Sequence, residues 1–248
     1  MKRTLFALLF LLVGTGAAVA QRQHTTNRNS WLMYFGDHKF SPHWGLHVEA
    51  QLRRSDGVNI GQQLLLRPGI NYHFSPALFA SAGYCFVQTY PYGEFAAKSS
   101  FPEHRLWEQL QFKNVTGRLE WINRLRLEQR WVDAPTLQGS TYQPGPAVYS
   151  NRMRLLNRVS LPLHGKSIED KTWYLSAYDE VFLGFGKNVA LNILDQNRAY
   201  AALGYKVPRL GRVELGYLFQ RVFKADGVKT ENNHTLMLGL ASTLPLHT

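Results

Sequence analysis

Hydrophobic and polar residues alternate with a period of two along nearly all of the chain after residue 30. Segment 46–53, LHVEAQLR, and segment 118–131, RLEWINRLRLEQRW, show the pattern most clearly. Such alternation is typical of strands that bury one face, because successive side chains of a strand point to opposite sides. Helical spacing would scatter the charged residues around the whole circumference. The pattern therefore predicts an all-β protein.

Eleven segments carry this pattern, and many of them reach ten residues or more. They lie at about 31–39, 44–54, 60–74, 77–90, 103–113, 118–132, 149–161, 172–183, 196–207, 211–224 and 232–243. Strands of soluble domains cluster near about five or six residues, whereas a tilted strand that crosses a bilayer needs about 9–11. The strand lengths favour a transmembrane β-barrel.

The connections between these segments alternate in length. The tight ones are 41–43, 75–76, 114–117 and 208–211, and the longer ones are 91–102, 133–148, 184–195 and 225–231. Outer-membrane barrels have short turns in the periplasm and longer loops outside the cell. We expect the same arrangement here.

The parity of the strands leaves two strand numbers open. Bacterial single-chain barrels have an even number of antiparallel strands. Either the polar segment 21–30 forms a further first strand, giving twelve, or the segment that begins at Trp31 lies outside the wall, giving ten. We predict an antiparallel barrel of about 10–12 strands, with twelve favoured, and residues 31–248 as its single domain.

Residues 1–20 have the features of a secretory signal peptide. Lys2 and Arg3 form a basic start, an apolar run follows, and Ala18-Val19-Ala20 is a small-residue cleavage signal before Gln21. The apolar run is shorter than the roughly 20 residues of a membrane-spanning helix. We therefore expect export in a Gram-negative bacterium and location in the outer membrane.

In a membrane barrel the apolar face of each strand contacts lipid and the polar face lines the lumen. Aromatic residues tip the apolar face and match the girdles of such barrels; they are Trp44, Tyr72, Tyr90, Trp121, Trp131, Tyr149, Trp173, Tyr205 and Tyr217. The polar face carries both signs of charge, so we predict a network of arginine and glutamate pairs in the lumen. Its predicted members are Arg67, Arg105, Glu120, Arg124, Arg126, Glu128, Arg130, Arg152, Arg154, Glu180, Arg198 and Glu214.

Few residues of the sequence are candidates for catalysis or metal binding. Cys85 is the single cysteine of the chain and we expect it to be a packed residue. His104 and Glu108 face away from Arg105, and the spacing of His43 and His47 does not suit one metal ion. We predict no catalytic residue, no metal site and no cofactor. The net charge of +11 suits the outer-membrane lipid and lipopolysaccharide as partners, rather than nucleic acid.

Several short motifs, in their order along the chain, resemble those of a bacterial domain-of-unknown-function family, number 2490. The most specific are PEHRLWEQ at 102–109, RLRLEQRW at 124–131 and QNRAYAALGY at 196–205. The resemblance covers roughly residues 31–242 and implies an outer-membrane location and a barrel, with no settled reaction. We expect the barrel assembly machinery as a further partner. The sequence departs from the pattern of such barrels in one respect, since it has Thr248 where a terminal aromatic residue is common. Recognition by the assembly machinery is the step that this departure affects.

The sequence thus favours an outer-membrane barrel with a structural, binding or narrow-pore role. Two alternatives stay open: an outer-membrane enzyme acting on lipid or lipopolysaccharide, and a soluble periplasmic β-sandwich or barrel that binds a ligand. Whether the lumen is open or plugged does not follow from the pattern, since a barrel of this size lies between filled and open ones. The pattern predicts no oligomeric state.

Overall fold

The computed structural model describes residues 22–189 and 191–246, so the predicted signal peptide and its cleavage site lie outside the described residues. The strands are β1 (Gln23–Lys39), β2 (Trp44–Ser55), β3 (Ile60–His73), β4 (Leu78–Thr89), β5 (Phe101–Thr116), β6 (Leu119–Val132), β7 (Pro135–Gln138), β8 (Thr141–Pro144), β9 (Val148–Pro162), β10 (Trp173–Phe185), β11 (Leu194–Val207), β12 (Gly211–Phe223) and β13 (Lys229–Ser242). Among these residues no helix is long and apolar enough to span a membrane.

Eleven of the strands close into one barrel, which confirms the predicted all-β barrel. Their order around the wall is β1-β13-β12-β11-β10-β9-β6-β5-β4-β3-β2. The two remaining strands, β7 and β8, pair with each other as a small hairpin within the connection from β6 to β9. Each strand of the wall therefore pairs with its neighbour in the chain, except where the barrel closes.

The closure departs from the prediction of an even, fully antiparallel barrel. β1 pairs with β13 in parallel, from Gln23 opposite Lys229 to Gly36 opposite Ser242. The polar segment after residue 22 does not turn back as a separate strand but continues straight into the Trp31 segment, giving one strand of 17 residues. The favoured number of twelve is therefore wrong. With eleven strands, β1 starts and β13 ends at opposite ends of the barrel, so only a parallel pair can close it.

The two ends of the barrel differ in their connections. At one, called here the turn end, the connections are 40–43, 74–77, 117–118, 163–172 and 208–210; at the other, the loop end, they are 56–59, 90–100, 133–147, 186–193 and 224–228. Gly117, in the two-residue turn, has a φ of 62°, which an L side chain rarely adopts. The predicted alternation of lengths is present, except that 56–59 is short and 163–172 is long.

The polarity of the barrel is the reverse of that of a water-soluble protein. Its interior buries charged side chains, including Arg67 at 1% and Glu128 at 0% exposure. Large apolar side chains such as Leu66, Leu110 and Leu203 stand exposed on the outer surface. Soluble domains bury these side chains and expose the charged ones.

The lumen also has an apolar wall that the alternation did not predict. Trp31 and Met33 of β1 point inward and pack against Tyr200, Leu218 and Met237 of β11, β12 and β13. All five are less than 6% exposed. The lumen therefore contains an apolar cluster as well as charged side chains.

Candidate functional site: the charged lumen

Glu128 is the hub of the charged network. The alternation of β6 puts it on the inner face, where Arg67 of β3 approaches its carboxylate at 3.0 Å. Arg152 and Arg154 of β9 approach the same carboxylate at 2.6 and 2.9 Å. Three guanidinium groups thus surround a carboxylate that is fully buried. Planar guanidinium forks suit this shared pairing.

Glu49 of β2 is a second hub and is joined to the first through Arg67. Arg67 donates to Glu49 at 2.6 Å, while Arg126 lies at 3.5 Å. The stronger bonds of Arg126 go to the neutral side-chain oxygen of Gln109, at 2.7 and 3.0 Å. Among the described residues, Arg126 therefore has one carboxylate within 4 Å, and this one is 3.5 Å away.

Glu180 of β10 forms the third hub. Arg124 and Arg154 both lie at 2.8 Å from its carboxylate. Arg198 of β11 is at 3.8 Å, beyond hydrogen-bond distance. Three arginines therefore share the Glu180 carboxylate, and Arg198 is the most distant of the three.

Each end of the lumen has its own pairs. At the loop end Glu103 binds Arg105 at 2.8 Å and Arg130 at 2.5 Å. At the turn end Glu120 binds Arg212 at 2.5 Å and Lys113 at 2.7 Å. Glu214 pairs with Arg158 and accepts a hydrogen bond at 2.8 Å from the hydroxyl of Tyr174. The network therefore extends along the whole length of the barrel.

Arginines that lack a close carboxylate stack on aromatic rings. Arg53 bonds the neutral side chains of Gln51 and Gln63, and its guanidinium lies 4.0 Å from the ring centroid of Trp31. Arg198 lies 5.3 Å from the same ring and 4.6 Å from that of Phe182. Ring faces attract cations. The apolar wall thus helps to hold the surplus positive charge.

A connection from the wall covers the loop end of the lumen. The hydroxyl of Tyr92, in connection 90–100, donates to Glu231 of β13 at 3.0 Å, and Glu231 also pairs with Lys224 at 2.6 Å. Burial raises the pKa of the Tyr92 phenol above its usual value, and the charge of Glu231 raises that pKa further. Gly93 lies against the side chain of Asn27. Connection 90–100 therefore contacts inward-facing side chains of β1 and β13 at the loop end.

A cavity of about 210 Å³ lies inside the barrel. Its lining includes Asp37, Arg212 and Ala241, which lie within two residues of the turn-end limits of β1, β12 and β13. It also includes Arg126 and Arg198 from the middle of the lumen. The cavity therefore extends from the charged hubs to the turn end.

All twelve residues predicted for the lumen network take part in its ion pairs. The structure adds further members, namely Asp37, His47, Glu49, Arg53, Glu103, Lys113, Arg158, Asp195, Arg212, Lys224 and Glu231. Strand alternation places Glu49, Arg53, Glu103 and Arg212 on the inner face. Asp195 and Glu231 fall in segments predicted to be loops, because both strands begin earlier than their apolar pattern does. Asp37 lies on the inner face of β1, whose apolar residues concealed it.

The residues considered for catalysis lie apart from one another. His104 and Glu108 point outward, where His104 meets the hydroxyl of Tyr84 and Glu108 accepts a bond from Gln129. His47 is buried in the lumen and pairs with Asp37 at 2.7 Å, whereas His43 lies in an exposed turn. Within the described part of the chain, no group of three metal-binding side chains is present. Cys85 is fully buried.

Comparison with other proteins identifies the family of the chain. A family model described as a protein of unknown function, DUF2490, matches residues 28–232. An uncharacterized protein of Methylorubrum extorquens is 30% identical over 207 residues, which is 78% of each chain. No solved structure matches. The family match begins in β1 and ends in β13, so it includes part of both strands and all nine wall strands between them. The chain belongs to the DUF2490 family.

Proposed function

We propose that the protein is an integral outer-membrane barrel whose lumen is closed by its own side chains. The observation that carries this proposal is the reversed polarity of the wall. Arg67, Arg126 and Glu128 are at most 1% exposed, while Leu32, Ile70 and Leu236 are more than half exposed. An outer surface of this kind is stable in hydrocarbon and not in water.

Aromatic side chains support the membrane location. Six of the nine predicted girdle residues are exposed, and the other three pack against exposed partners; these pairs are Tyr72 with Trp44, Trp131 with Tyr149, and Tyr205 with Trp173. The first and third pairs lie at the turn end and the second at the loop end. Two aromatic belts, one near each end, are typical of barrels that span a bilayer.

Side chains, rather than a separate plug domain, close the lumen. The hubs at Glu49, Glu128 and Glu180 join neighbouring and opposite strands across the interior. Toward the loop end, Glu103 with its two arginines and the Tyr92 contact add further closure. We therefore propose a structural or binding role for this barrel, not a pore.

The contacts of the polar residues do not favour the enzyme alternative. His47 and Asp37 pair with each other, and Asn71 donates to Asp37 at 2.8 Å. Ser81 donates its hydroxyl proton to Asn71 at 2.6 Å and not to a base. A serine nucleophile needs its hydroxyl directed at a base.

Membrane fractionation tests the location. We expect the protein in the outer-membrane fraction, released by detergent and not by salt or urea washes. On a gel without heating, the folded barrel should migrate faster than the heated chain. Recovery of the folded protein from the periplasm without detergent would overturn the location.

Planar-bilayer recording tests the closed lumen. Wild-type protein that is inserted, as shown by protease protection of its wall, should give no steady conductance. A reproducible open level from inserted wild-type protein would show that the lumen is a pore. The two experiments are independent, because a barrel can sit in the membrane whether or not it conducts.

A further inference from the structure

The cavity in the barrel carries a surplus of positive charge. Six arginines and four carboxylates line it; two of the arginines, Arg154 and Arg212, also pair with Glu128 and Glu120 outside the lining, which leaves two guanidinium groups of the lining without a close carboxylate. The arginines are Arg124, Arg126, Arg154, Arg158, Arg198 and Arg212. Buried charge is normally paired, because an unpaired ion in a protein interior is costly. An anion in the cavity would supply the missing partner.

The surplus is located at Arg126 and Arg198. Arg126 makes its short bonds to the neutral Gln109 and has one carboxylate, Glu49, at 3.5 Å. Arg198 is 7% exposed, and its one carboxylate, Glu180, lies at 3.8 Å and is already held by two other arginines. The two side chains that line the cavity with the weakest compensation are therefore both guanidinium groups.

Three arginines of the lining also have hydrogen-bond donors without a partner. The Nε atoms of Arg124, Arg158 and Arg198 are buried and have no hydrogen-bond partner within the described part of the protein. A guanidinium edge offers two parallel donors to the oxygens of a phosphate or a carboxylate. The lining thus combines positive charge with the donors that an oxyanion requires.

The cavity has room for such a ligand and reaches the turn end of the barrel. Its volume of about 210 Å³ is well above the roughly 10–15 Å³ that one water molecule needs. Arg212, one residue from the start of β12, brings the lining to the turn end, where the connections 40–43, 117–118 and 208–210 are short. The charged hubs close the opposite side.

We propose that this cavity binds a small oxyanion, a phosphate or a compact dicarboxylate, which enters from the turn end and is held by Arg126 and Arg198. The proposal goes beyond a closed barrel. It depends on the cavity and not on the membrane, so the barrel can prove to be membrane-embedded and silent whether or not the anion binds.

Binding can be measured on the mature protein, refolded in detergent, with inorganic phosphate and malonate as probes and chloride at matched ionic strength as the reference. We expect a saturable rise in the unfolding temperature with phosphate or malonate and none with chloride. In ³¹P NMR of phosphate, the wild-type protein should broaden the line, and excess malonate should restore it if both occupy one site. Stabilisation by one probe alone would identify which class the cavity selects.

Arg126→Gln and Arg198→Gln should each weaken binding by about tenfold or more, the effect of losing one charge-assisted hydrogen bond. Arg53→Gln is the matched control, because Arg53 is also buried, bonds neutral glutamines and stacks on Trp31, but does not line the cavity. It should bind the anion as the wild type does. Gel mobility without heating verifies that each variant is folded.

Two results would overturn the proposal. One is a wild-type protein that neither broadens the phosphate line nor gains stability from either probe. The other is an equal loss of binding in all three variants, which would show a response to total lumen charge and not a site. The wild-type NMR measurement gives an answer even if both cavity variants fail to fold.

Discussion

Glu128 concentrates more ion pairs than any other carboxylate described in the lumen. It holds Arg67, Arg152 and Arg154 within 3.0 Å at a fully buried position. Glu128→Gln keeps the shape and removes the charge, which leaves these guanidinium groups without their shared partner. We expect a loss of about 3–5 kcal/mol in the free energy of unfolding. Urea unfolding of the refolded barrel measures it.

The control for this prediction is Glu169→Gln in connection 163–172. Glu169 is exposed and accepts a hydrogen bond from the Ser167 hydroxyl at 2.6 Å. Its neutralisation should change the free energy of unfolding by at most about 0.5 kcal/mol, as is usual for surface substitutions. Equal losses in the two variants would mean that water screens the lumen charges.

At the scale of the strands, small residues of β11 and β12 allow tyrosine rings to pack flat on the inner wall. A Cβ atom added to Gly216 would lie 2.5–2.6 Å from the ring of Tyr200. Gly204 provides the same space for Tyr174. Both tyrosines donate hydrogen bonds to Glu214, so the glycines also position donors of the charged network.

Gly216→Ala should therefore destabilise the barrel by about 1–3 kcal/mol, the usual effect of overpacking. Gly239→Ala is the matched control, since Gly239 lies on the neighbouring strand β13 and a Cβ there meets no heavy atom of the described chain within 4 Å. It should be neutral or slightly stabilising, because alanine restricts the unfolded chain. Thermal unfolding, followed by gel mobility, compares the unfolding temperatures of the two variants. Similar shifts in unfolding temperature would show that the contact with the Tyr200 ring does not affect stability.

The parallel pairing of β1 with β13 can be tested by cross-linking. Leu32 and Leu238 are register partners on the exposed outer face. A Leu32→Cys/Leu238→Cys variant should form a disulfide on mild oxidation, while Leu32→Cys/Leu236→Cys should not, because diagonal neighbours about 7–8 Å apart exceed the reach of the bond. Cys85 is fully buried and should not interfere. Protection of the pairs from thiol labelling reports the result; bridging of only the Leu236 pair would show a shifted register.

This closure marks the limit of what the sequence reveals about the elements. Alternation predicts each wall strand, because one face contacts apolar surroundings and the other polar ones. It does not predict which strands pair at the closure, since that depends on contacts between residues about 200 positions apart, such as Asn27 with Asn233. Alternation also does not predict that Trp31 and Met33 point inward, because β1 is apolar on its inner face as well. The strand count was therefore estimated from parity and not from pattern.

For the molecule as a whole, the sequence predicts which charged residues line the lumen better than it predicts their pairing and the position of the cavity. The twelve predicted charges do point inward, since a charged residue in an otherwise apolar alternation has one tolerable face. The three hubs depend on register and on side-chain reach. The position of the cavity depends on where arginines lack carboxylates, which becomes visible only when β6, β10 and β11 are placed around one axis.

Closure by side chains makes a prediction for the whole barrel. Eight strands leave an interior that side chains just fill, and about 16–18 leave an aqueous channel. An eleven-stranded wall has the intermediate width, so shortening the side chains at its centre should open a path. We expect the triple variant Arg105→Ser/Glu128→Ser/Arg152→Ser to conduct small ions in planar bilayers, where the wild type is silent.

This variant removes one carboxylate together with two of its arginine neighbours, and the remaining partners keep other carboxylates: Arg67 keeps Glu49, and Arg154 keeps Glu180. The control variant is Lys166→Ser/Glu169→Ser/Lys171→Ser, which makes the same change in net charge within the exposed connection 163–172. It should insert and stay silent. If the lumen variant inserts equally well and passes no current, side chains around Glu128 are not the barrier, and the closure lies at the other two hubs or at the Tyr92 connection.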